Sequence, residues 1–192
     1  MKVTNLAEDT EGFTGNVWLM ENSENVLIDT GTDTCWERIL KLENVEKVVI
    51  THSHYDHVDN LPKIMNMFDA EIYAYEPGNL PVDAEKISED DALELAGEEF
   101  RILHTPGHKN DSICLYSDSG ILFTGDLIFP DGSFGRTDLD EGDRNELIES
   151  IEKIADLDVK EMYCGHEEAA KKNVNDQIKQ SLEEARKRES KY

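Results

Sequence analysis

The sequence predicts an α/β fold in which layers of sheet are covered by helices. Short apolar runs of strand length recur along the whole chain, and between them lie segments whose apolar residues repeat at helical spacing. A further observation bears on function. Four side chains of metal-ligand type stand within six positions, His52-Ser53-His54-Tyr55-Asp56-His57, directly after one of the apolar runs.

Taken in order, residues 16–20 read as a strand and residues 26–31 as a second, ending in a turn at Gly31. Residues 35–42 carry Trp36, Ile39 and Leu40 at helical spacing. Residues 47–51 form a short apolar strand, and the histidine run begins where it ends. Residues 61–68 read as a helix with Ile64, Met65 and Phe68 on one side, and Pro62 suits its first turn. Strands follow at 71–75 and 100–104, the latter after an acidic stretch with a turn at Gly97. Residues 112–116 and 120–124 read as a hairpin turning at Asp118-Ser119-Gly120. Residues 144–157 predict an amphipathic helix with Leu147, Ile148, Ile151, Ile154 and Ala155 on one face. A short strand at 161–163 and a charged helix at 175–187 complete the series, and the charges from Glu183 to Glu189 read as a solvated face. With no internal repeat, low-complexity tract or linker, residues 1–192 are read as a single domain.

Composition narrows the functional classes. A chain of 192 residues, 38% of them hydrophobic, can bury a substantial core. No apolar stretch approaches the ~20 residues a membrane span needs, and the first residues lack an apolar signal segment. The expected location is therefore the cytoplasm, with no membrane partner. Lys and Arg total 19 against 43 Asp and Glu, a formal charge of −24. Such a surface repels a phosphate backbone, so a nucleic-acid partner is disfavoured. Cys35, Cys114 and Cys164 are odd in number and form no C-x-x-C pair. They read as small buried hydrophobes rather than disulfides or a thiolate zinc site.

The six histidines carry the chemistry. In an extended segment residues two apart project the same way, so His52 and His54 can grip one metal ion. A loop that turns after them can aim Asp56 and His57 at a second. Imidazole with carboxylate suits zinc, and also iron or manganese. Three more potential ligands each follow a glycine just past a strand: His108 after Gly107, Asp126 after Gly125 and His166 after Gly165. Glycine there lets the backbone come close to a metal. One edge of the sheets would gather all seven groups. His104 reads as an ordinary surface or hydrogen-bonded histidine.

These pieces, in their order, resemble the metallo-β-lactamase-fold hydrolases, and within them the glyoxalase II-like (hydroxyacylglutathione hydrolase-like) branch. The matching motifs are Leu27-Ile28-Asp29-Thr30-Gly31, the run from Thr51 to His57, Thr105-Pro106-Gly107-His108, Thr124-Gly125-Asp126 and Gly165-His166. The resemblance implies a four-layer αββα sandwich with the site at one edge. It implies two divalent metal ions, zinc foremost, with iron or manganese also compatible. His52, His54 and His108 would hold one ion, Asp56, His57 and His166 the other, and Asp126 would bridge them. Asp29 would orient the site from behind without binding metal. Residues 131–138, followed by Gly142-Asp143, are similar to a stretch in glyoxalase II-like thioester hydrolases and persulfide dioxygenases. Within it Arg136 is a candidate for contacting an anionic substrate group, with a salt bridge as the alternative. Three departures stand out, the first being Cys164-Gly165-His166-Glu167 where the last motif commonly reads Pro-Gly-His-Gly. Val58-Asp59-Asn60 follows the histidine run where the family often has Gly-Gly. The sequence also ends soon after His166, so the C-terminal helical domain that helps glyoxalase II bind glutathione is not expected.

Two metals sharing a water would lower its pKa toward ~7, and Asp56 is the expected catalytic residue that orients the resulting hydroxide. The tetrahedral oxyanion would be stabilised by the metal charge. A thiolate, with a pKa near ~8.5, leaves with little help, whereas an amine or alkoxide wants a general acid. The expected substrate is therefore a small-molecule thioester. Oxidation of a persulfide at a single iron, or hydrolysis of a lactone or small phosphodiester, remain the alternatives.

Overall fold

The computed structural model describes residues 1–187; Arg188 and Glu189, read above as part of a solvated helix end, lie outside the described residues. Among the described residues, six strands form one sheet in chain order: β1 (Lys2–Asn5), β2 (Trp18–Glu21), β3 (Asn25–Ile28), β4 (Lys47–Val49), β5 (Glu71–Ala74) and β6 (Glu85–Lys86). β1 to β3 are antiparallel, and β3 to β6 run parallel. The parallel pairs need crossovers. α1 (Trp36–Ile39) lies in the first, α2 (Tyr55–Val58) and α3 (Leu61–Met67) in the second, and the third, from β5 to β6, is a loop with one 3-10 turn at Pro77–Asn79. The second sheet is built from β7 (Ala92–Leu95), β8 (Glu98–His104), β9 (Ile113–Tyr116), β10 (Ile121–Gly125) and β13 (Glu161–Cys164), in the order β13-β10-β9-β8-β7. A small hairpin of β11 (Ile128–Phe129) and β12 (Ser133–Phe134) precedes α4 (Arg144–Ala155), and α5 (Val174–Lys187) closes the described chain.

Strand alternation explains the layering. Trp18 and Met20 of β2 lie opposite Ile28 and Val26 of β3, and all four point into the space between the sheets. They meet Phe100, Ile102, Leu115, Phe123 and Tyr163 from the second sheet. The intervening residues Leu19, Leu27 and Val48 face outward and pack on Ile39, Leu61 and Ile64. On the far side Leu103, Leu122 and Met162 pack on Leu147, Ile151 and Ile154 of α4 and Ile178 of α5. Strands buried on both faces read as near-continuous apolar runs, which is why they are visible in the sequence. The result is the expected four layers, αββα.

Local chemistry sets the helix ends. The Asp143 carboxylate accepts hydrogen bonds from the Asn145 and Glu146 amides at 2.7 and 3.1 Å, capping α4. α4 stops at Ala155, two residues short of the expectation, because Leu157 N already closes a tight turn on the Ile154 carbonyl. α1 is also shorter than expected, being preceded by a 3-10 turn at Asp33–Cys35. β1, β6 and β7 were not foreseen. They are strands with much exposed surface, without the apolar repetition of the inner ones. All three cysteines are free and buried. Burial pushes the Cys114 and Cys164 thiols up to about 12. No helix among the described residues is long and apolar enough to cross a membrane.

This topology sends five chain segments to one edge. Asp29 follows β3, Thr51 and His52 follow β4, His108 follows β8, Asp126 follows β10 and His166 follows β13. Because β3 and β4 are parallel, as are β10 and β13, their C-terminal ends lie side by side. Ile151 is fully buried between α4 and the second sheet. Ile151→Ala is expected to cost about 2–5 kcal/mol of folding stability, by lost burial plus the cavity left behind. Urea unfolding with an unchanged m-value would check this.

Candidate metal centre

The histidine run leaves β4 extended and then turns sharply. His54 has φ −66° and ψ 145°, and the chain next makes one helical turn, α2, with His57 N donating to the His54 carbonyl at 2.9 Å. The loop expected there is thus a helical turn, too short for apolar periodicity to reveal. It brings the His57 ring back over His52, with centroids 4.1 Å apart, while His54 stands edge-on to His52 at 4.9 Å.

All seven side chains of ligand type meet at this edge. His52, His54 and His108 each offer a ligand atom, all within 4.8 Å of one another, and so do Asp56, His57 and His166. Asp126 stands between the two groups. Its Oδ1 lies 3.5 Å from His57 Nε2, and its Oδ2 lies 3.5 Å from His108 Nε2 and 3.4 Å from His166 Nε2. Among the described residues, His52 Nε2, His57 Nε2 and Asp126 Oδ1 are buried polar atoms with no hydrogen-bond partner. Leaving such atoms unsatisfied costs roughly 1–3 kcal/mol each. Three orphaned donor atoms aimed into one cluster of imidazoles and carboxylates fit a cation. His54 Nδ1 and His108 Nε2 also face each other at 2.9 Å. Two ring nitrogens this close need a proton on one of them or a cation near both.

The electrostatics agree. Burial alone would depress the His57 pKa, but Asp126, Asp29 and Asp56 outweigh it and raise it to about 9. His166 is likewise raised, against burial, to about 10 by its hydrogen bonds with Asp126 and Asp56. Burial would raise the Asp126 pKa, yet His57, His166 and His52 hold it far below the usual carboxylate range. His52 goes the other way: burial, reinforced by His57, keeps it neutral. Protons on His57 and His166 thus balance the carboxylates, and a divalent cation would balance the same charge.

A supporting frame aims these groups. Asp29 accepts from Thr51 N at 2.8 Å, Thr51 Oγ1 at 2.7 Å and His57 Nδ1 at 2.8 Å. With Nδ1 donating to Asp29, it is Nε2 that faces the cluster, and its lone pair becomes available to a cation when the Nε2 proton is displaced. His108 Nδ1 donates to the Arg136 carbonyl at 2.8 Å, which turns its Nε2 inward too. The glycine before His166 is required by neighbouring donors: a Cβ on Gly165 would lie 2.0 Å from Asp126 Oδ1. The glycine before His108 serves helix packing, since a Cβ on Gly107 would lie 2.2 Å from the Leu147 amide.

Arg136 contributes its carbonyl to the cluster, while its exposed guanidinium makes a bidentate pair with Asp138 at 2.9 Å. His104 lies apart, stacked on Tyr75 at 4.0 Å and bonded to the Asn110 carbonyl. Several supporting residues were not foreseen. Asn16 Nδ2 donates to the Cys164 and Glu167 carbonyls, tying the β1–β2 loop to the His166 segment. Asp111 accepts from Ser53 N, 3.4 Å away, and from Asn79. Phe13, exposed at the mouth, stacks on His166. Single polar residues in loops carry no sequence pattern, so only the fold reveals them.

The chain belongs to the metallo-beta-lactamase superfamily, whose family model matches residues 10–166. It is 32% identical over 160 residues to a hydroxyacylglutathione hydrolase of Aliivibrio fischeri, covering 80% of this chain and 62% of that protein. The chain thus spans about three fifths of the length of the first curated relatives it matches. Among solved structures it is similar to a metallo-beta-lactamase family protein, TTHA1429, from Thermus thermophilus. There the TM-score is 0.81 at 19% identity, over 97% of this chain and 79% of that one. It is also similar to TTHA1623 crystallised in a di-iron-bound form, with TM-score 0.73 at 25% identity, over 91% of this chain and 95% of that one.

Asp29→Asn keeps the side-chain shape but cannot accept all three bonds. It is expected to weaken divalent-metal binding about 10–100-fold, measured by competition with a chromophoric chelator. An unchanged affinity together with an unchanged circular dichroism spectrum would show that Asp29 serves only the backbone.

Proposed function

We propose that the protein is a binuclear metal-dependent hydrolase of small-molecule thioesters, glyoxalase II-like in its chemistry. The observation that carries this reading is Asp126, a buried carboxylate standing between two complete groups of donors with one oxygen left without a partner. The curated relatives named hydroxyacylglutathione hydrolase support it. A small substrate suits the charge of −24, and a cytoplasmic location goes with the same reading.

In this assignment His52, His54 and His108 would hold one ion, Asp56, His57 and His166 would hold the other, and Asp126 would be shared between them. Nitrogen and oxygen donors suit zinc first, with iron or manganese also fitting. When bound, two divalent ions supply a water that ionises near neutral pH and positive charge to stabilise the oxyanion.

The chain's own residues do the rest. Asp29 fixes the His57 tautomer, and the Arg136 carbonyl fixes that of His108. Asp56, whose Oδ2 lies 3.2 Å from His166 Nε2 at the mouth of the cluster, accepts the hydrogen bond that orients the attacking water. The thiolate, with a pKa near ~8.5, departs without a general acid. Arg136 meets an anionic group on the substrate once its guanidinium parts from Asp138, an exposed pair that contributes little stability.

Protein purified without added metal is expected to contain two divalent ions per chain. It should hydrolyse members of a thioester panel, lose that activity to a chelator and regain it with zinc. Asp56→Asn is expected to lower kcat about 100-fold or more. One iron per chain, with oxygen uptake on a persulfide and no thioester turnover, would replace this reading with the single-iron oxidation.

A further inference from the structure

An open groove of about 610 Å³ runs away from the donor cluster, and His54 lines both. Its other walls include Tyr55, Lys109, Leu139 and Glu141. Among the described residues lining it, Lys109 is the one lysine or arginine, and its ammonium is 2.9 Å from the Glu141 carboxylate. The two partners are held differently. The Lys109 side chain is only 12% exposed, whereas that of Glu141 is 39% exposed. Lys109 directly follows His108, whose ring is held by the Arg136 carbonyl. Asp143 N donates to the Gly107 carbonyl at 2.9 Å, so the loop bearing Leu139 and Glu141 is stitched to the same segment. The cation is thus the more buried member of the pair, and the carboxylate is the one that faces solvent.

We infer that Lys109 is a specificity-determining residue that binds a carboxylate on the thiol portion of the substrate, which takes the place Glu141 now occupies. This rests on the hydrolase reading above and names the substrate class it selects. The chain carries 43 acidic against 19 basic residues, so most of its surface repels an anion. A nearly buried ammonium beside the donor cluster is where an anionic arm gains most. Tyr55 and Leu139 are both exposed, and they offer apolar surface to the aliphatic part of such an arm. The substrate carboxylate replaces the Glu141 contact with one of the same kind, so the Lys109 ammonium keeps a partner while the more exposed Glu141 carboxylate turns to water. The Glu141 carboxylate marks the spot and the geometry, a single oxygen at hydrogen-bond distance from Nζ.

The test compares two acetyl thioesters, one of 3-mercaptopropionate and one of neutral N-acetylcysteamine, on the metal-loaded full chain. Lys109→Gln is expected to raise the ratio of KM for the carboxylate probe to KM for the neutral probe about tenfold, the loss of one charge-assisted contact. Glu141→Gln is expected to lower that ratio, because it removes the competing carboxylate. A purely structural ion pair would instead make both variants move both probes alike, and that result would overturn the inference. Calorimetric binding of 3-(acetonylthio)propionate, a thioether that cannot be hydrolysed, separates this question from turnover. Binding about tenfold weaker in Lys109→Gln than in wild type supports the groove even if neither thioester is hydrolysed, in which case the hydrolase reading alone fails. Equal binding in the two proteins overturns the groove assignment while leaving the hydrolase reading intact.

Discussion

The carboxylate of Asp29 takes hydrogen bonds from the amide and hydroxyl of Thr51 and from the ring of His57. Hydrogen bonds to a charged group contribute about 1.5–3 kcal/mol each, and these three join two neighbouring parallel strands to the helical turn that follows them. Ile28 and Val49 are paired in register, so the residues just past them emerge side by side. Asp29 then turns the chain with φ +60°, a left-handed conformation that aspartate tolerates better than most residues. The direction of the His57 ring, and with it the separation of the two donor groups, depends on this buried acceptor.

Gathering Asp29, Asp56 and Asp126 in a buried pocket among the imidazoles is costly unless the charges are balanced. The apolar layers beneath the edge offset that cost. Phe100, Phe123, Tyr163 and Trp18 fill the space between the sheets, and the Trp18 indole donates to the Cys164 carbonyl at 2.8 Å. That bond links the hydrophobic interior to the backbone that carries His166. The glycine between them, Gly165, admits the Asp126 carboxylate where any side chain would collide with it. Core packing and the geometry of the donor cluster are therefore coupled through one short segment.

The donors and the groove beside them are held by different kinds of structure. The donors project from strand ends and a helical turn fixed by buried hydrogen bonds. The groove beside them is walled largely by loop residues such as Lys109, Leu139 and Glu141. Rigid scaffolds carrying variable loops let one fold serve many substrates.

Much of the site was legible because its residues carry local signals. The density of histidine and aspartate between His52 and His57 is visible without a fold. Glycine before His108, Asp126 and His166 marks turns at strand ends, and inner strands announce themselves by burying both faces. The sequence by itself thus determined sheet layers covered by helices, the chemical type of the donors and the edge where they gather, and the number of layers followed from the family resemblance its motifs carry. The short helix of residues 55–58 and the exposed strands β1, β6 and β7 escaped, because too few apolar residues repeat in them to set a period. Only the tertiary structure decided how the donors are aimed. Asn16 bonding to Cys164, Asp111 to Ser53, the Arg136 carbonyl to His108 and Glu141 to Lys109 are each pairings of residues distant in sequence. A hydrogen bond or ion pair of that kind depends on where two loops finish in space, and neither spacing nor composition along the chain encodes that.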